Sequence, residues 1–103
     1  MEISKFQKEI SKIFSEIAKK PDFKEQSKED ILIRIMEEVG EVSRQVIREK
    51  YRKDKFNKAN LTEEISDVIM LLNFLASKYN IDLSKECEDK IRRMREKFDL
   101  GQD

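Results

Sequence analysis

Apolar residues recur every three to four positions near the start of the chain: Ile3, Phe6, Ile10, Ile13, Phe14 and Ile17. That period belongs to a helix with one buried side. It predicts a helix over residues 2–19, stopped by Pro21. A second stripe, Leu32, Ile35, Met36, Val39, Val42 and Val46, predicts a helix that starts near Ser27 or Lys28 and ends between Arg48 and Arg52. The basic segment from Lys50 to Asn60 has no stripe and reads mostly as loop. Asn60 is then the expected cap of a third helix, with Glu63 three residues on as in a capping box. That helix runs to about Tyr79, and Asn80 stands where a left-handed residue is common. Asp82 or Ser84 caps a fourth helix with the stripe Leu83, Cys87, Ile91, Met94 and Phe98. The residues after Phe98 are expected to fray.

The third helix is apolar on two sides. Ile65, Val68, Ile69, Leu72 and Ala76 make one face, and Met70, Leu71 and Phe74 make another, roughly opposite. A helix apolar nearly all round is buried on several sides, which four short helices cannot provide alone. The expected architecture is therefore all-α: a four-helix bundle-like protomer assembling into a dimer or tetramer. Composition agrees. The 103 residues suit one domain spanning 1–103, and 2 Gly with 1 Pro leave little for strands and turns. The 22 basic and 22 acidic residues cancel, so no net field points to nucleic acid or an anionic membrane. No apolar run reaches the length of about 20 residues that a membrane span needs. One cysteine, Cys87, cannot close an internal disulfide, and a cytoplasmic location is the expectation.

The candidate chemistry lies in two acidic stretches. EEVGEVSRQV begins at Glu37 and EEISDVIMLL at Glu63. Each carries a carboxylate pair spaced three apart, Glu38–Glu41 and Glu64–Asp67. Residues at that spacing share a helix face. Glu38 and Glu64 lie roughly 80° from their apolar stripes, and Glu41 and Asp67 roughly 140°, in the same rotational sense. If the two helices pack antiparallel, both pairs reach the same edge and four carboxylates converge. Such a cluster repels itself strongly unless cations neutralise it. Carboxylates are hard ligands suited to Mg²⁺, Mn²⁺ or Ca²⁺. The chain has no His, which disfavours zinc. Mg²⁺ shared with a phosphate substrate is the best chemical fit, with Mn²⁺ the next. Arg34 lies one turn before Glu38, and Lys58 precedes Glu64; either suits a phosphate.

EEVGE, followed after 22 intervening residues by EISD, resembles the signature of the all-α nucleoside triphosphate pyrophosphohydrolases, the MazG-like group above all. The likeness continues through EEISDVIMLLNFLASKYNIDL, and Lys90 matches the later lysine of the group. It spans roughly Ile31 to Phe98. The resemblance implies metal-dependent cleavage between the α and β phosphates, giving a nucleoside monophosphate and pyrophosphate. It implies Glu38, Glu41, Glu64 and Asp67 as metal ligands, with Glu37 as the first acid of the motif, supporting the site or positioning water. It also implies Lys90 as a substrate contact, and a helical dimer or dimer of dimers. Relatives often carry Asn a few residues after the lysine, where this chain has Ile91, Arg92, Arg93 and Met94, so contacts to sugar or base differ. Two alternatives remain. One is a phosphoribosyl-ATP or dUTP pyrophosphatase of the same fold. The other is a catalytically silent helical oligomer that binds partners.

Overall fold

The computed structural model describes residues 2–101, arranged as four helices with no strand among them. They are α1 (Ile3–Ala18), α2 (Lys28–Tyr51), α3 (Lys58–Lys78) and α4 (Leu83–Lys97). Ser27 opens α2 with a complete capping box: its hydroxyl accepts from the Asp30 backbone N–H at 3.1 Å, and the Asp30 carboxylate accepts from the Ser27 N–H at 3.3 Å. Asp82, one of the two expected caps, opens α4 by accepting from the Lys85 N–H. Asn80 takes the left-handed conformation, φ 56°, between α3 and α4.

The start of α3 differs from expectation. Asn57 is the cap, and Asn60 supplies a backbone N–H to its Oδ1 at 3.0 Å. Residues 58–60 therefore belong to the helix, and Glu63 is no capping partner. The reason is tertiary. Gln45 of α2, only 3% exposed, accepts the Asn57 backbone N–H at 2.9 Å and fixes where the chain turns. The α2–α3 connection shrinks to residues 52–57. Of the tail after Phe98, Gln102 and Asp103 lie outside the described residues, while residues 99–101 follow the helix end in a defined turn. Asp99 is left-handed (φ 53°), and the Leu100 N–H bonds back to the Arg95 carbonyl at 2.8 Å, a closed helix terminus.

α3 is the centre. α2 packs along one side of it and α1 along another, while α4 packs on α1. The buried apolar residues are Ile10, Ile31, Ile35, Leu71, Phe74 and Ala76. Phe14 stacks on Phe74 with ring centroids 4.1 Å apart. Gln7 of α1 clamps the entry to α4, donating to the Ile81 carbonyl at 2.8 Å and accepting from the Leu83 N–H.

The face that α2 turns inward is not the centre of its apolar stripe. Ile31, Ile35 and Gln45 are buried, whereas Leu32, Met36, Val39 and Val46 are 45–65% exposed. The stripe is wider than one neighbour covers, and α3 covers the edge nearest Glu38. On α3, Leu71 and Phe74 of one predicted face are buried, while Ile65, Ile69 and Leu72 of the other remain 43–48% exposed. Most of the α4 stripe also faces outward, with Ile91, Met94 and Phe98 at least 48% exposed. No helix among the described residues is long and apolar enough to cross a membrane.

Candidate functional site

The inward face of α2 carries the first acids into place. Ile31, Ile35, Glu38, Val42 and Gln45 follow at four- and three-residue steps, so Glu38 lies in line with buried neighbours and is itself half-buried. On α3, Glu64 stands two turns before the buried Leu71 on the same side, and is also half-buried. Asp67 follows one turn later at the edge. Packing α2 on α3 therefore brings the two pairs to one place. Glu38 records it: its carboxyl is raised above the ordinary 4.5, first by desolvation, then by the charges of Asp67 and Glu64, with Glu41 adding to the rise. Arg34, one turn earlier on α2, opposes it.

Glu41, Glu64 and Asp67 thus all lie near enough to Glu38 for their charges to act on it. Glu41 also pairs with Arg44 at 3.4 Å. Glu37 is exposed and is not among the charges acting on Glu38. Lys58, the first residue of α3, and Lys90, on α4, are exposed as well and do not act on it. Among the described residues, no three acidic or cysteine side chains are drawn close enough to form a ready metal cage. The donor set nevertheless fits a hard cation. Glu64 keeps one carboxylate oxygen, Oε2, buried with no hydrogen-bond partner. An orphaned anionic oxygen beside other carboxylates is costly, and a divalent cation bound there would satisfy it.

A groove of about 780 Å³ has Arg34, one turn before Glu38, on its wall, and none of the four acids lines it. Its walls come from the end of α1, the segment 19–26, and the end of α3. Phe14 and Phe74 form an aromatic wall, Phe23 lines the groove from the connector, and Lys78 sits with its Nζ 5.0 Å from the Phe74 ring centroid. The sequence reading assigned Phe14 and Phe74 to core packing and gave no role to Phe23, Glu25 or Lys78. The available signal was Phe23, an aromatic in a connector between Pro21 and the cap at Ser27, where packing alone gives it no reason to be.

Against known families, the model of the MazG nucleotide pyrophosphohydrolase domain matches residues 26–99. That stretch contains all four acids and most of the helical core. No curated protein and no solved structure matches the chain.

Proposed function

Because the chain belongs to the MazG nucleotide pyrophosphohydrolase family, we propose that it hydrolyses nucleoside triphosphates between the α and β phosphates, releasing a nucleoside monophosphate and pyrophosphate in a Mg²⁺-dependent reaction. The observation that carries the proposal is the mutual repulsion of Glu38, Glu64, Asp67 and Glu41 across the α2–α3 contact, next to the orphaned Glu64 oxygen. A catalytically silent scaffold has no use for such a cluster.

Glu38, Glu41, Glu64 and Asp67 would hold the metal. Bound there, a hard divalent cation neutralises phosphate charge and lowers the pKa of water. Glu37, the first acid of the motif, would support the site or help position water from its outer edge. Arg34 bridges the acids and the groove, so its guanidinium is suited to a phosphate oxygen between the metal and the nucleoside. The groove, with its aromatic wall, takes the nucleoside. Lys58 and Lys90 are weaker phosphate candidates, since the single chain does not bring them to the acids.

The active form is a homo-oligomer. A compact monomer of this mass, 12.3 kDa, exposes about 6,100 Å², yet this chain exposes 8311 Å². Its radius of gyration is 16.9 Å, against about 12.8 Å for a compact domain of its length. The excess of ~2,200 Å² is what each member of an obligate dimer hides. The unpaired face of Leu32, Met36, Val39 and Val46 on α2 with Ile65, Ile69 and Leu72 on α3 is where a second copy fits. Pyrophosphate release from a panel of triphosphates with and without Mg²⁺ tests the activity, and no release from any of them refutes it. A monomer by sedimentation at micromolar concentration refutes the assembly.

A further inference from the structure

Among the described residues, Glu41 is the only one of the four acids that carries an ion pair. Its Oε1 lies 3.4 Å from Arg44 Nη1, with the Arg44 side chain 57% exposed. An exposed pair at that separation adds little to stability, so the fold does not depend on it. Arg48 follows one turn later on the same side of α2. It is half-buried, and no acid among the described residues pairs with it. Two guanidinium groups thus extend the line of Glu41 toward the end of α2. Arg34 stands at the other end of the acids, one turn before Glu38. Arg34 and Arg44 are about 15 Å apart along the helix axis, with Glu38 and Glu41 between them.

We propose that Arg44 binds the β and γ phosphates of the substrate, with Arg48 behind it. This rests on the reading of the acids as a centre that cleaves a triphosphate. Charge is the first reason. Glu38, Glu41, Glu64 and Asp67 with a triphosphate bring more negative charge than one or two divalent ions cancel. The remainder falls to cations of the chain. Arg34 and Arg44 are set at the acids, the first by its field on Glu38 and the second by contact with Glu41. Lys58 and Lys90 do not act on Glu38. Direction is the second reason. Arg34 lines the groove and Arg44 does not, so a phosphate chain entering on the Arg34 side passes the acids and ends at Arg44. The third reason is the fate of the ion pair. With a hard cation on Glu41, the Arg44 guanidinium loses its partner and is repelled. The freed fork needs an acceptor, and a phosphate group accepts its two parallel N–H groups.

A rival account is that Arg44 merely screens Glu41. The two differ in sign. If Arg44 only screens, Arg44→Gln frees Glu41, and the affinities for Mg²⁺ and for pyrophosphate stay level or rise together. If Arg44 binds phosphate, Arg44→Gln keeps or raises the Mg²⁺ affinity but weakens pyrophosphate by about 10-fold or more, the loss of charge-assisted hydrogen bonds. Calorimetric titration of the full chain with MgCl₂ alone, and with inorganic pyrophosphate at constant excess Mg²⁺, reads both. Arg44→Lys keeps the charge and loses the fork, so its pyrophosphate affinity should fall in between. The Arg44 side chain is exposed, so both variants keep the fold. Three results overturn the proposal: pyrophosphate affinities of wild type and Arg44→Gln within about threefold, no pyrophosphate binding to the wild type, or a loss in the variant matched by an equal loss of Mg²⁺ affinity. The triphosphate assay reports separately. Arg44-dependent pyrophosphate binding without cleavage of any triphosphate keeps the role of Arg44 and loses the hydrolase. Cleavage with an unchanged KM in Arg44→Gln does the reverse.

Discussion

Replacing Glu38 by Gln should make the metal-free protein more stable and the enzyme inactive. Glu38 sits where its charge is opposed by partial burial and by Asp67, Glu64 and Glu41, with Arg34 alone pulling the other way. The amide keeps the shape and removes the repulsion. The site is largely open to solvent, so the repulsion is screened, and the gain is of the size of exposed charge pairs, about 0.3–1 kcal/mol. For a domain of this length that corresponds to a rise in Tm of roughly 2–6 °C. Magnesium should act in the opposite sense on the two proteins. A ligand at 100 times its Kd adds about 2.7 kcal/mol to the wild type, but the variant has lost a ligand and should respond little. Turnover should fall by about 100-fold or more, since even partners of metal ligands cost 10–100-fold. The assay is a thermal melt by circular dichroism with EDTA and with MgCl₂, alongside pyrophosphate release. A variant that melts below the wild type in EDTA, or that keeps the full magnesium response, refutes the account of the cluster.

The same repulsion sets a pH dependence: because the folded carboxyl of Glu38 is raised above 4.5, the metal-free fold holds that proton more tightly than the unfolded chain. The stability this group contributes is present below 4.5 and is lost as pH rises through the raised value. Melts in EDTA across pH 4–7 should show this slope in the wild type, and the slope should shrink in Glu38→Gln. Ile31→Ala removes a large, fully buried side chain and should cost about 2–5 kcal/mol in denaturant unfolding. Gln45→Ala orphans the Asn57 N–H at the α2–α3 turn and should cost about 1–3 kcal/mol, with loss of activity only as far as the two acid pairs fall out of register. Leu72→Lys should shift sedimentation from oligomer to monomer, and an unchanged sedimentation coefficient would place the interface elsewhere.

The helices, their order and most of their ends were legible in the residues, because periodicity, capping and a left-handed Asn are local effects. Ser27, Asp82 and Asn80 behave as their side chains dictate. The family was legible too, from the two acidic pairs and the stretch that follows. One local inference failed for a tertiary reason. Asn57 took the cap from Asn60 because a buried glutamine on another helix holds its N–H. The end of α4 is closed locally, by the left-handed Asp99 and the Leu100 N–H on the Arg95 carbonyl. The groove was not legible, since Glu25 and Lys78 lie 53 residues apart and Phe23, the local signal, does not say what it faces.

The sequence by itself put Glu38 with Glu41, and Glu64 with Asp67, on single helix faces, because three residues make most of a turn. It could not say which edge of the wide α2 stripe faces α3. Packing chose the edge next to Glu38, and that choice brings the two pairs into one electrostatic neighbourhood and leaves Leu32, Met36 and Val39 outside. Spacing is a property of one helix, whereas convergence depends on how two helices rotate against each other.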